Sequence, residues 1–152
     1  MPRIDYKNYI RQYNNITQAG AKNGDYPCFY CGVPSNSVDH FVPQSYLSII
    51  RMFLDTTPEG NEKVKNVYEK TILSQELIPA CRDCNSRASD GVFDTPDDKK
   101  SFVKAKLRKK FERILELPYW SDGDIKELDY ELQQTVLGAI SQKNHIEKRL
   151  KW

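Results

Sequence analysis

The chain has 152 residues, 39% hydrophobic and 29% charged, which suits one soluble domain with a single core. No apolar run approaches the roughly 18 residues that span a bilayer. The start, MPRIDYKNYIRQY, mixes charge with aromatics where a secretory signal would be apolar, so a cytoplasmic protein is expected. A net charge of +2 means that any nucleic-acid binding must rest on local clustering.

In chain order, Tyr6, Ile10, Tyr13 and Ile16 form a weak helical stripe over 4–17. The stretch AGAKNGDYP, 19–27, reads as a loop leading to the first cysteine pair. Ser37–Val42 is the best strand. Residues 44–54 read as a helix, with Pro43 tolerable at its first position. Val64, Val67, Tyr68 and Ile72 suggest a short helix over 62–73, and Glu76–Pro79 a second short strand. Two helices inside an otherwise short connection look like an insertion, 44–74. The turn SDGVFDTPDD precedes a helix over about 98–116, with Val103, Leu107, Phe111 and Ile114 on one side. Ser121 and Asp124 form a capping-box-like start for a last helix carrying Ile125, Leu128, Leu132, Val136 and Ile140. The whole is expected to be one domain, 1–152. An N-terminal extension (1–24) precedes a core (25–92), and helices (93–152) follow it.

The four cysteines fall in two C-x2-C pairs, Cys28/Cys31 and Cys81/Cys84. A reducing cytosol disfavours disulfides. Two thiolate pairs complete a tetrahedral zinc, and with four thiolates that zinc has no open position for catalysis. Gly32 suits a tight turn around a metal, and the second pair can open a helix. Zinc would thus fasten a turn near residue 30 to a helix near 82, its binding energy becoming folding energy.

Such a clamp carries Asn85 toward the stretch SVDHFVPQS. On a helix, Cys84 and Asn85 point about 100° apart, so one can face zinc and the other a second site. That site would hold Asp39, His40 and Asn85, whose two oxygen donors suit Mg²⁺ completed by water and phosphate. Adjacent strand residues point to opposite faces, however, so Asp39 and His40 converge only if the strand ends or twists there.

The ordered set C-x2-C, VDHFVP and C-x2-C-N resembles the HNH endonuclease family. VDHFVPQSYL is also similar to the matching segment of the HNH domain in RNA-guided CRISPR nucleases. The motif-bearing part runs from about Cys28 to Asp90. The resemblance implies an α+β fold, a small ββα-metal finger stapled by zinc, and hydrolysis of DNA phosphodiesters. His40 would be the general base, and Asp39 and Asn85 would hold a catalytic Mg²⁺ or Mn²⁺. Where the family carries an Asn that orients the base loop, this chain has Glu76; either Glu76 or another residue, such as Asn66, takes that role.

Residues 99–113, KKSFVKAKLRKKFER, carry eight Lys/Arg against the single acid Glu112. Lys100, Lys104 and Arg108 recur at helical spacing and, with Arg82 and Arg87 beside Asn85, are the expected phosphate contacts. His145 reads as a surface helix residue. The acidic helix from Asp122 onward should avoid DNA and either pack within the protein or meet a protein partner. Duplex DNA is the leading substrate, with RNA the weaker option. A non-catalytic zinc-finger module of a larger defence or phage complex is the competing reading.

Overall fold

The computed structural model describes residues 16–56, 66, 76–88 and 91–152. The calls for helices over 4–17 and 62–73 lie outside the described residues, apart from Ile16 and Asn66. Among the described residues, mixed helix and a two-stranded antiparallel sheet surround four clustered cysteines.

The first part of the stretch expected as a loop, 19–27, is instead a short helix, α1 (Gln18–Asn23), and the remainder is irregular. Thr17 caps it by accepting from Gly20 N–H, and Gly24 closes it in the left-handed conformation, φ 85°. Strand β1 (Ser37–His40) follows the first cysteine pair and gives way at Pro43 to α2 (Gln44–Thr56). Strand β2 (Leu77–Ala80) pairs antiparallel with β1, setting Asp39 opposite Ile78 and His40 opposite Leu77. Helix α3 (Arg82–Ala88) starts at once and packs on β1 and on α4 (Pro96–Lys110). Phe29 N–H donates to the Pro79 carbonyl at 2.9 Å, joining the first cysteine turn to β2.

Thr95 caps α4 by accepting from Asp98 N–H, and Pro96 occupies its first turn. The expected continuous helix to 116 breaks at Phe111, giving a short α5 (Glu112–Leu115). Ser121 and Asp124 do form a capping box, but it opens only α6 (Asp122–Lys126). Asp129 then caps a separate long helix, α7 (Tyr130–Lys151), by accepting from Leu132 N–H at 2.9 Å. A second capping aspartate divides what periodicity joined.

The core lies between the sheet, α3 and α4: Tyr30, Phe41, Val42, Leu47, Ile78, Ala80, Ala88, Val103 and Leu107 pack with the cysteines. Of the last expected apolar stripe, Ile125 is buried whereas Leu132 is exposed. No described helix is long and apolar enough to cross a membrane.

Candidate metal centre and catalytic site

Cys28 and Cys31 sit on a tight turn. Cys28 N–H donates to the Val33 carbonyl at 2.6 Å, and Gly32 N–H to the Cys28 carbonyl at 2.8 Å. Gly32 has φ 75°, and a β-carbon there would lie 2.5 Å from the Trp152 ring, so conformation and space both demand glycine. Cys81 follows β2 directly, and Cys84 lies one turn into α3. All four thiols are free and buried, with their sulfurs within 4.8 Å of one another. Four zinc–sulfur bonds of about 2.3 Å in a tetrahedron set sulfurs about 3.8 Å apart; Cys31 and Cys81 sulfurs are 3.8 Å apart. Donor set and spacing both fit a metal such as zinc.

The four thiols compete for protons. Hydrogen bonds from Cys28 pull Cys31 far below, and Cys81 down to about 6, while Cys28 and Cys84 are pushed far up as donors. Four thiolates this close need a compensating cation. Among the described residues, Arg149 brings positive charge to the cluster: its Nη2 lies 3.8 Å from Cys84 Sγ and 4.0 Å from Cys81 Sγ, and 3.0 Å from Asp83. Burial opposes the charge on Arg149, but Cys31 and Asp83 outweigh it and raise its pKa further.

The second group of residues rests on β1. The strand stays regular through His40, so Asp39 and His40 alternate faces instead of converging. Asp39 turns inward and is 5% exposed. Its Oδ2 accepts from the Tyr30 hydroxyl and pairs with Lys99 Nζ at 2.9 Å. Lys99 comes from α4 and is fully buried. Its ammonium also donates to the main-chain carbonyls of His40, at 3.0 Å, and Phe41, at 3.3 Å. Three protons meet three acceptors, which is what a buried lysine requires.

His40 is half-buried, with Nε2 3.2 Å from Gln44 Nε2. Burial lowers its pKa below 6.5; Asp39 opposes that and Lys99 adds to it. Asn85 is brought to the same strand, its Nδ2 donating to the Val38 carbonyl at 3.0 Å and to Ser37 Oγ at 3.2 Å. Both bonds use the amide nitrogen, so the carboxamide oxygen is the atom left for a ligand. Glu76 touches the base loop through its main chain, its carbonyl accepting from Phe41 N–H at 3.0 Å.

The structure thus brings together the four cysteines, and Asn85 with β1, but it gives Asp39 a partner the sequence did not announce. The arrangement does not fit a divalent cation on Asp39. An ion about 4 Å from the Lys99 ammonium would meet a repulsion of about 8 kcal/mol at an effective dielectric constant of about 20. Among the described residues, the cysteines are the one group of three or more Cys, His, Asp or Glu side chains placed to share a metal.

The expected phosphate contacts divide as well. Arg82 and Arg108 are exposed. Arg87 pairs with Asp83 at 2.9 Å, and Lys110 and Arg149 share the same carboxylate, which they hold down to about 2 against the opposing effect of burial. Lys100 bends back, 4.8 Å over the Phe29 ring and 3.4 Å from the Trp152 carbonyl. Lys104 is half-buried, and burial together with Lys100 lowers its pKa. His145 is exposed, as expected.

Sequence reasoning missed Tyr30, Lys99 and Arg149. Lys99 did carry a signal: it stands in the N-terminal part of α4 just after Asp97 and Asp98, where the helix dipole favours acids. Tyr30 and Arg149 carried none. No family model matches the chain, and neither a curated protein nor a solved structure matches it.

Proposed function

We propose that the chain is an HNH-type endonuclease hydrolysing DNA phosphodiester bonds, built on a ββα-metal finger whose four cysteines hold structural zinc. The observation that carries this reading is Asn85. The cysteine turn that would bind zinc also ties its side chain to β1 at Val38, next to Asp39 and His40. An antiparallel pair followed directly by a helix, with His40 at the end of its first strand, supports the same reading. His40 is the general base: burial keeps its imidazole neutral and able to take a proton from water. Arg82 and Arg108 are the exposed cations for the DNA backbone. The Mg²⁺ or Mn²⁺ implied by the resemblance would have Asn85 Oδ1 as its available donor, because Asp39 as it stands is taken. The acidic start of α6, with exposed Tyr130, Leu132 and Leu137 beyond it, is the face for a protein partner.

One observation favours a second reading, a zinc module that binds DNA without cutting it. The Asp39–Lys99 pair closes the carboxylate on which metal-assisted chemistry would depend. Supercoiled plasmid incubated with zinc-loaded protein, with and without Mg²⁺ or Mn²⁺, separates the two. Nicking that disappears in His40→Ala supports the nuclease. Retained plasmid binding with no nicking by the wild type supports the second reading.

A further inference from the structure

We infer that Lys99 is a built-in cation, a positioning residue that holds Asp39 and the His40–Phe41 main chain together in the place of a divalent ion. Three contacts define the role. The ammonium neutralises Asp39 at 2.9 Å and binds the carbonyls of the next two residues at 3.0 and 3.3 Å. A metal at the strand end would likewise gather oxygens from neighbouring residues, but it would exchange with solvent. Lys99 is anchored in α4 between the buried faces of Val103 and Leu107 and the capped start at Thr95, so its position is set by the fold. The Phe41 ring, 5.9 Å from Nζ, adds a weak cation–π contact on the remaining side. Tyr30 completes the enclosure from the first cysteine turn, so the pair is bordered by the zinc unit, the sheet and α4 together.

Two consequences follow for the proposed site. His40 is fixed from behind through its own carbonyl, in addition to the contact of its imidazole with Gln44. Asp39 is closed to Mg²⁺ and Mn²⁺ as long as Lys99 is charged and in place, because ion and ammonium would compete for one carboxylate. The geometry of β1 and α4 carries this inference whether or not the protein cuts DNA.

Histidine NMR tests it without reference to cleavage. The chain has two histidines, so the His40 ring signal can be compared directly with His145 in the same spectrum. In zinc-loaded wild-type protein titrated with paramagnetic Mn²⁺, any loss of His40 signal beyond that of His145 should be the same in Asp39→Asn, because an ion held through Asn85 does not use Asp39. Lys99→Arg, which keeps a cation, should behave alike. Lys99→Ala, if it retains its zinc, should lose the His40 signal selectively, and adding Asp39→Asn should restore it. Selective loss of the wild-type His40 signal that Asp39→Asn abolishes would overturn the inference. The wild-type and Asp39→Asn spectra decide the matter even if Lys99→Ala fails to fold. A failed plasmid assay, by contrast, bears only on the nuclease reading.

Discussion

The cysteine cluster and the Asp39 site flank the same two-stranded sheet and solve opposite charge problems. Four sulfurs are packed within 4.8 Å with the Arg149 guanidinium at their edge, and as four thiolates they would carry more negative charge than that guanidinium answers. Asp39 is a single carboxylate facing a fully buried ammonium and a phenol, so its charge is already answered. Acidic and thiol groups are therefore a poor guide to metal sites by themselves. What matters is how much countercharge the fold has already brought to them.

Removing a thiolate should produce the largest effect. Cys81→Ser leaves a three-sulfur site, and since structural zinc in such units contributes about 10 kcal/mol to folding, zinc should be lost and the β1–β2–α3 unit should melt. Zinc content and a thermal melt check this together. Lys99→Met leaves Asp39 buried and unpaired, at a cost of about 3–5 kcal/mol in denaturant unfolding. Adding Asp39→Asn should recover much of that, whereas at the cysteines no second substitution restores what the first removes. Arg149→Met should weaken zinc about 10- to 100-fold in a chelator competition, the size expected for a group that supports ligands from outside.

The smallest effect on stability is expected at His40, where His40→Ala should cost no more than about 1 kcal/mol while abolishing nicking. The pH dependence has a definite sign. Burial lowers the folded pKa of His40 below 6.5, so its imidazole stays unprotonated as pH falls through 6.5. Any His40-dependent nicking should persist there and fail only at lower pH. The unfolded chain gains a proton near 6.5 that the folded chain refuses, so His40 also lowers stability as pH drops below that value. A nicking profile with its acid limb above 6.5 would show that His40 is not the base in this environment.

The two regions also differ in how far the sequence disclosed them. The cysteine pairs and the placement of Asn85 were legible, because each depends on residues a few positions apart on one turn. Strand positions were legible to within a residue or two: Ser37–His40 against an expected Ser37–Val42, and Leu77–Ala80 against Glu76–Pro79. The helix start at Ser121 announced itself through short-range capping, whereas the cap at Thr95 was read as part of a turn and the one at Asp129 was hidden inside a continuous apolar period. Apart from the odd place of Lys99 in the first turns of α4, the partners of Asp39 were not legible. Lys99 reaches the carbonyls of His40 and Phe41 from 59 and 58 residues away, within a basic run that looks entirely solvated. Two of the five expected phosphate contacts, Arg87 and Lys100, are engaged within the chain, by Asp83 and by the Phe29 ring. A long aliphatic stem lets a cation follow burial even where its neighbours face water.

Pro79 has a quieter effect. Phe29 already takes up its outward carbonyl, and the ring leaves no amide to offer on that side. A sheet of only two strands would ordinarily invite another chain to zip onto its free margin. Here the β2 margin is blunted at Pro79, so that edge of the two-stranded sheet is protected against edge-to-edge pairing.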